Sequence, residues 1–189
     1  MSRLIFSCQT CSGLCALAVI LVLVAGPAGA VCVEDARGRS VCLDSRAERV
    51  ISLSPGATEL LFSAGAGGKV RAVSAWSNYP PESANLPQVG DSNRLDLEAI
   101  VTLNPDLVVA WTDGNSRVQL ARIEELGIPV FWLRPRTFED IARAVENLAL
   151  LTGDEGIGSV RASEFLAGIA ELRAHYGDSA MVRVFYQIW

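Results

Sequence analysis

The chain is poor in the residues from which catalytic sites are built. It holds one histidine, His175, near the end of a helical pattern, so a Ser-His or Cys-His nucleophile pair has a single base to draw on. That base lies far from every loop cluster, and a lone histidine on an exposed helix end is ordinarily solvated. A phosphate fingerprint is missing as well. Gly65, Gly67 and Gly68 follow a helical pattern and precede a strand, the reverse of the order a phosphate cradle needs. Ser54 stands at a strand-to-helix turn, yet Leu53-Ser54-Pro55 lacks the glycines that flank a nucleophile elbow. A secreted serine hydrolase built on Ser54 is therefore the weaker of two classes. The stronger is a binding module without catalytic residues or a resident cofactor. Positive charge is also scarce: 16 basic against 21 acidic residues give a net charge of −5, which argues against nucleic acid or an anionic membrane as partner.

Some of the apolar half of the composition belongs to a leader rather than to a core. Arg3 precedes an almost wholly aliphatic run from Leu14 to Ala25, followed by Gly26-Pro27 and the small triplet Ala28-Gly29-Ala30. This is the layout of a cleaved secretory signal over residues 1–30. The alternative is a membrane anchor, for which the run is short against the roughly 20 apolar residues a span requires. Three of the five cysteines, Cys8, Cys11 and Cys15, fall in that leader. The other two, Cys32 and Cys42, flank alternating residues on either side of a turn at Gly38. In such a hairpin, pairing residue 34 with 40 sets 32 opposite 42. In an oxidising compartment a structural disulfide is expected there, since the further ligands a metal site needs are absent nearby.

From residue 49 onward the pattern alternates strand and helix, the sign of an α/β fold with a parallel sheet flanked by helices. Val50 to Leu53 reads as a buried strand, and Ser54-Pro55 as the start of a helix running to Gly65. Val70 to Ala75 is a second strand leading to Trp76 and Tyr79-Pro80-Pro81. A loop spans Leu86 to Arg94, and Asp96 caps a short helix over Leu97 to Leu103. Leu107 to Ala110 is a strand delivering Trp111 to its carboxyl end, a helix runs from Ser116 to Leu126, and Pro129 to Leu133 is a strand. Thr137-Phe138-Glu139-Asp140 has the form of a capping box. A second long helix from about Asp154 to Tyr176, roughly 30 Å of rod, is long enough to join two lobes. Val182 to Trp189 reads as a strand. The expected division is a leader (1–30), a hairpin and connector (31–48), an N-terminal ligand-binding lobe (49–153), a linking helix (154–178) and the start of a truncated second lobe (179–189).

Arg49-Val50-Ile51-Ser52-Leu53-Ser54-Pro55 with Thr58-Glu59-Leu60, then Ser77-Asn78-Tyr79-Pro80-Pro81, then Asp96-Leu97-Glu98 running into Asn104-Pro105-Asp106-Leu107-Val108 and Ala110-Trp111, resemble the periplasmic substrate-binding proteins of ABC importers. The resemblance is to the group whose two lobes are joined by one rigid helix, and within it to the cobalamin binders. It implies a periplasmic monomer that captures a corrinoid and passes it to an ABC transporter permease. Ferric siderophores and haem are the other ligands of the group. Arginines suited to an anionic siderophore are absent from Ser77-Asn78-Tyr79 and Thr112-Asp113-Gly114-Asn115, and Tyr79 alone is placed as a haem ligand. The residues expected against ligand are Ser54, Trp76, Tyr79, Trp111 and Asn115, with core positions as the alternative for the two tryptophans. The resemblance assigns Glu98 to permease docking. The bland alternative is a charge that only opposes the helix dipole.

Overall fold

A computed structural model describes residues 29–187. All but the last two residues of the expected leader lie outside them, as do Ile188 and Trp189.

The first two strands, β1 (Val31–Glu34) and β2 (Ser40–Leu43), pair antiparallel with Cys32 opposite Cys42, and the two sulfurs are bonded. Alternation decides the faces: Val31, Val33, Val41 and Leu43 turn inward, and the cysteines turn to solvent. Asp35 closes the turn by accepting the N–H groups of Arg37 and Arg39 at 2.8 and 3.0 Å. Four further strands form one parallel sheet in the order β4-β3-β5-β6: β3 (Val50–Ser52), β4 (Val70–Val73), β5 (Leu107–Trp111) and β6 (Val130–Leu133). The hairpin turn covers the β6 edge, where Ala36 N–H donates to Trp132 O at 2.9 Å.

Both faces of the sheet are buried, as a parallel sheet requires. Val50, Leu107, Val109, Phe131 and Leu133 point to the face covered by the hairpin, α1 (Pro55–Ser63) and α4 (Phe138–Thr152). Ile51, Val108, Ala110, Val130 and Trp132 point to the opposite face, under α2 (Leu97–Thr102) and α3 (Arg117–Glu125). The helix starts follow local chemistry. Ser54 Oγ accepts the Ala57 N–H, Asp96 accepts that of Ala99, and Thr137 with Asp140 completes the capping box of α4. Gly153 ends α4 in the left-handed conformation.

The last helix, α5 (Glu155–Tyr176), is 22 residues long, about 33 Å at 1.5 Å per residue. It touches α4 most closely at Gly158, where an added Cβ would stand 2.2 Å from that of Ala149. The rod runs on along α4, with Phe165 edge-on to Phe138 at 6.0 Å between ring centroids and Arg173 over the same ring at 5.4 Å, while Val160, Leu172 and Tyr176 are more than half exposed. One expectation is corrected. Val182–Gln187, the described part of the expected last strand, forms no strand, and Phe185 is 88% exposed. A strand exists only through a ladder of hydrogen bonds to a neighbour, and no described strand pairs with this segment.

Candidate ligand-binding site

The strand order creates a switch point. After β3 the chain moves outward to β4, then crosses back to add β5 on the other side of β3, so the crevice at the carboxyl ends of β3 and β5 is not closed by a connection. An apolar cleft of about 340 Å³ opens there, lined by Ser54, Pro55, Gly56, Ala57, Leu60, Trp111, Leu133 and Pro135. A larger hollow of about 480 Å³ at the hairpin turn adjoins it, sharing Leu133 and Pro135, and Glu34, Asp35, Arg134, Asp140 and Arg143 make its wall charged.

Trp111 ends β5 and is 42% exposed at the cleft. Its ring lies over Gly114, where an added Cβ would come within 2.2 Å of the indole, so only glycine permits this pose. Asn115 works below the surface. Its Oδ1 accepts the Trp111 N–H at 2.7 Å and its Nδ2 donates to Leu53 O at 3.0 Å, tying together the ends of the two strands that border the crevice. Both ends of that amide are committed to backbone. Asn115, expected against ligand, is thus buried outside the cleft lining and braces the strand ends that border it. Ser54 lines the cleft, with its oxygen already accepting from the first turn of α1 at 3.1 Å.

Trp76 and Tyr79 occupy the neighbouring loop after β4, outside the cleft lining, and are 81% and 64% exposed. Trp76 has φ of +68°, a region in which a bulky residue costs about 1–3 kcal/mol and persists only if its surroundings impose it. The surroundings do so. Ser74 Oγ and Ser77 Oγ lie 3.2 Å apart, Asn78 N–H donates to Trp76 O at 3.0 Å, and Ser83 Oγ donates to Ser77 O at 3.0 Å. The loop spends its polar groups on itself and turns its rings to solvent. The core alternative applies instead to Trp132, which is 1% exposed between α3 and the sheet.

Sequence reasoning overlooked the β6 side. Leu133 and Pro135 line the cleft, and Arg134 beside them pairs with Asp113 at 3.0 Å. The hydrogen bond from Arg134 is the main reason the Asp113 carboxyl sits below the usual range, and the charges of Arg134, Arg136 and Arg117 add to it. The rule that placed Trp111 at a strand end applies equally to Leu133-Arg134-Pro135 and would have found them. Glu98, in the first turn of α2, is exposed and makes no hydrogen bond or ion pair among the described residues. The capping role falls to Asp96.

A switch-point cleft bordered by an exposed aromatic ring, on an open parallel sheet with helices on both faces, is the arrangement in which α/β folds take ligands. The chain belongs to the family described as periplasmic binding protein, whose pattern it matches over residues 50–181. It is similar to the vitamin B12-binding protein of Vibrio parahaemolyticus, 40% identical over 141 residues that make 75% of this chain and 51% of that one. The vitamin B12-binding protein of Vibrio cholerae is 37% identical over 142 residues, and the Vibrio cholerae crystal structure superposes with a TM-score of 0.71 over 76% of this chain and 56% of the other. A periplasmic heme-binding protein from Roseiflexus, 30% identical, matches with a TM-score of 0.61 over 67% of this chain and 49% of its own. The chain spans about half the length of the curated relatives it matches.

Proposed function

We propose that this chain carries the N-terminal lobe of a periplasmic receptor that captures cobalamin and delivers it to an ABC importer, with residues 1–30 as its export signal and 154–178 as the link to a second lobe. The observation that carries the reading is the placement of three rings, Trp76, Tyr79 and Trp111, exposed at the carboxyl edge of the sheet, two of them in a loop braced to hold them out. A flat, wide ligand covers such rings at little conformational cost, because two-χ aromatics lose little freedom on binding. The similarity to vitamin B12-binding proteins supports the choice of corrinoid. Glu98, exposed and unpaired, is the charge for the permease.

Haem is the second reading, favoured by the Roseiflexus neighbour and by the exposed phenol of Tyr79, an oxygen ligand for iron. Equilibrium dialysis of the chain against cyanocobalamin and against hemin separates the two. Saturable uptake of cyanocobalamin that falls in Trp76→Ala is the expected result. Uptake of hemin alone, lost in Tyr79→Phe, selects the second reading, and uptake of neither overturns both.

A further inference from the structure

The hairpin of β1 and β2 lies outside the residues 50–181 that match the family pattern, and it adds a wall of its own to the open end of the sheet. Three contacts hold it across the β6 edge: Ala36 N–H donates to Trp132 O at 2.9 Å, the Arg37 guanidinium lies 4.9 Å from the centroid of the Trp132 ring, and Arg39 pairs with Glu124 at 2.8 Å. Between this wall and α4 lies the hollow of about 480 Å³, which meets the apolar cleft at Leu133 and Pro135. A ligand seated in the cleft therefore has a second, polar compartment beside it.

Three carboxylates and two guanidinium groups line the hollow, Glu34, Asp35 and Asp140 against Arg134 and Arg143. Most of them are committed. Asp35 accepts from the backbone of Arg37 and Arg39, Asp140 from that of Arg136 and Thr137, and Arg134 is paired with Asp113. Arg143 reaches Asp140 at 3.4 Å through one of its nitrogens. The side chains of Glu34 and Asn147 make no hydrogen bond or ion pair among the described residues. The hollow thus offers an acceptor at Glu34, a donor and an acceptor together at Asn147, and spare N–H groups on Arg143. A charged group entering it meets like charge on one side, whereas a neutral group that both donates and accepts can satisfy every free partner.

We propose that the hairpin hollow is a subsite for a primary carboxamide arm of the ligand, so that the receptor reads the side chains of a corrinoid as well as its ring. This rests on the corrinoid reading of the cleft. The ring packs on the apolar cleft and Trp111, and an arm at its edge passes Leu133 and Pro135. Its NH2 then donates to Glu34, and its carbonyl accepts from Asn147 or Arg143.

Equilibrium dialysis of the chain against cyanocobalamin and against its separated monocarboxylic acids, in each of which one side-chain amide has become a carboxylate, tests this. One acid should bind about fivefold more weakly than the parent compound, the loss expected when one hydrogen bond is replaced by a carboxylate set against Glu34, and Glu34→Gln should recover part of it. Asn147→Ala should weaken cyanocobalamin by a similar factor. Ala36→Trp, at an exposed position whose backbone bond to Trp132 it keeps, should fill the hollow, weaken cyanocobalamin and remove the difference among the acids. If Asn147→Ala folds poorly, Ala36→Trp and the acids still decide, because Glu34 and Ala36 are both exposed. Unchanged cyanocobalamin affinity in Ala36→Trp, with every acid bound like the parent compound, overturns the subsite and leaves the corrinoid reading standing. No binding of cyanocobalamin by the unaltered chain removes both.

Discussion

The two ends of the sheet are built from similar residues and used in opposite ways. At the amino end polar groups are spent on the fold. Asp106 accepts the backbone N–H groups of Glu48 and Arg49 at 2.8 and 2.9 Å, Arg49 Nε donates to the carbonyls of Leu103 and Asn104, and Lys69 binds Thr152 O and Asp154. These bonds sew the starts of β3, β4 and β5 to the connections that precede or follow them. At the carboxyl end three large rings, Trp76, Tyr79 and Trp111, are left exposed, and the polar groups that do pair, in Asn115 and the serines of the β4 loop, shape the surface around them. The sheet thus concentrates its polar stitching at one end and leaves exposed surface at the other.

The sharpest way to break this contrast is to cut a stitch. Asp106→Ala frees two backbone donors and should lower unfolding stability by about 2–3 kcal/mol while leaving ligand affinity alone, read from urea midpoints and dialysis on the same preparation. A loss of affinity with unchanged stability would erase the distinction between the ends. Trp76→Ala should do the converse: about 1–2 kcal/mol less binding energy, with stability held, since the ring is exposed and alanine keeps the Cβ that makes the left-handed conformation costly. A large fall in melting temperature would instead make the ring structural.

The start of α4 is a committed element at the open end, and it sharpens the comparison. Thr137→Ala should cost about 1 kcal/mol by removing the cap oxygen. Its partner Asp140 has a lowered pKa, chiefly from the Arg136 N–H it accepts, with the Thr137 N–H adding to it. A carboxyl that is more acidic when folded contributes in full above the ordinary carboxylate range, and that contribution is lost as pH falls through the folded value. Acid unfolding of Asp140→Asn should therefore be less steep on that limb than in the parent chain. The smallest effect on the fold is expected at Glu98. Glu98→Arg should change stability by less than about 0.5 kcal/mol, as exposed charges do, yet reduce corrinoid uptake through the cognate importer. Normal uptake would leave Glu98 as a helix-dipole charge.

Most elements were legible because their causes are local. The continuous apolar runs of Val50 to Leu53 and Leu107 to Ala110, the Ser54-Pro55 start, the capping box at Thr137 and the facing of Cys32 and Cys42 are written in neighbouring residues, and boundaries moved by only one or two positions. The strand expected at Val182 was read from the same apolar pattern, but a strand is a relation between two segments and the second was not beside it.

By itself, then, the sequence determined the alternation of strands and helices, the faces each strand presents, the caps and the hairpin, because propensity, period and capping act within a few residues. Tertiary structure alone decided that β5 returns beside β3, that Trp132 is buried while Trp76 is bare, that Gly114 makes room for the Trp111 ring, and that Arg134 pairs with Asp113. These depend on which strand neighbours which. That choice is made by burying two sheet faces at once over long chain separations, so no local window contains it.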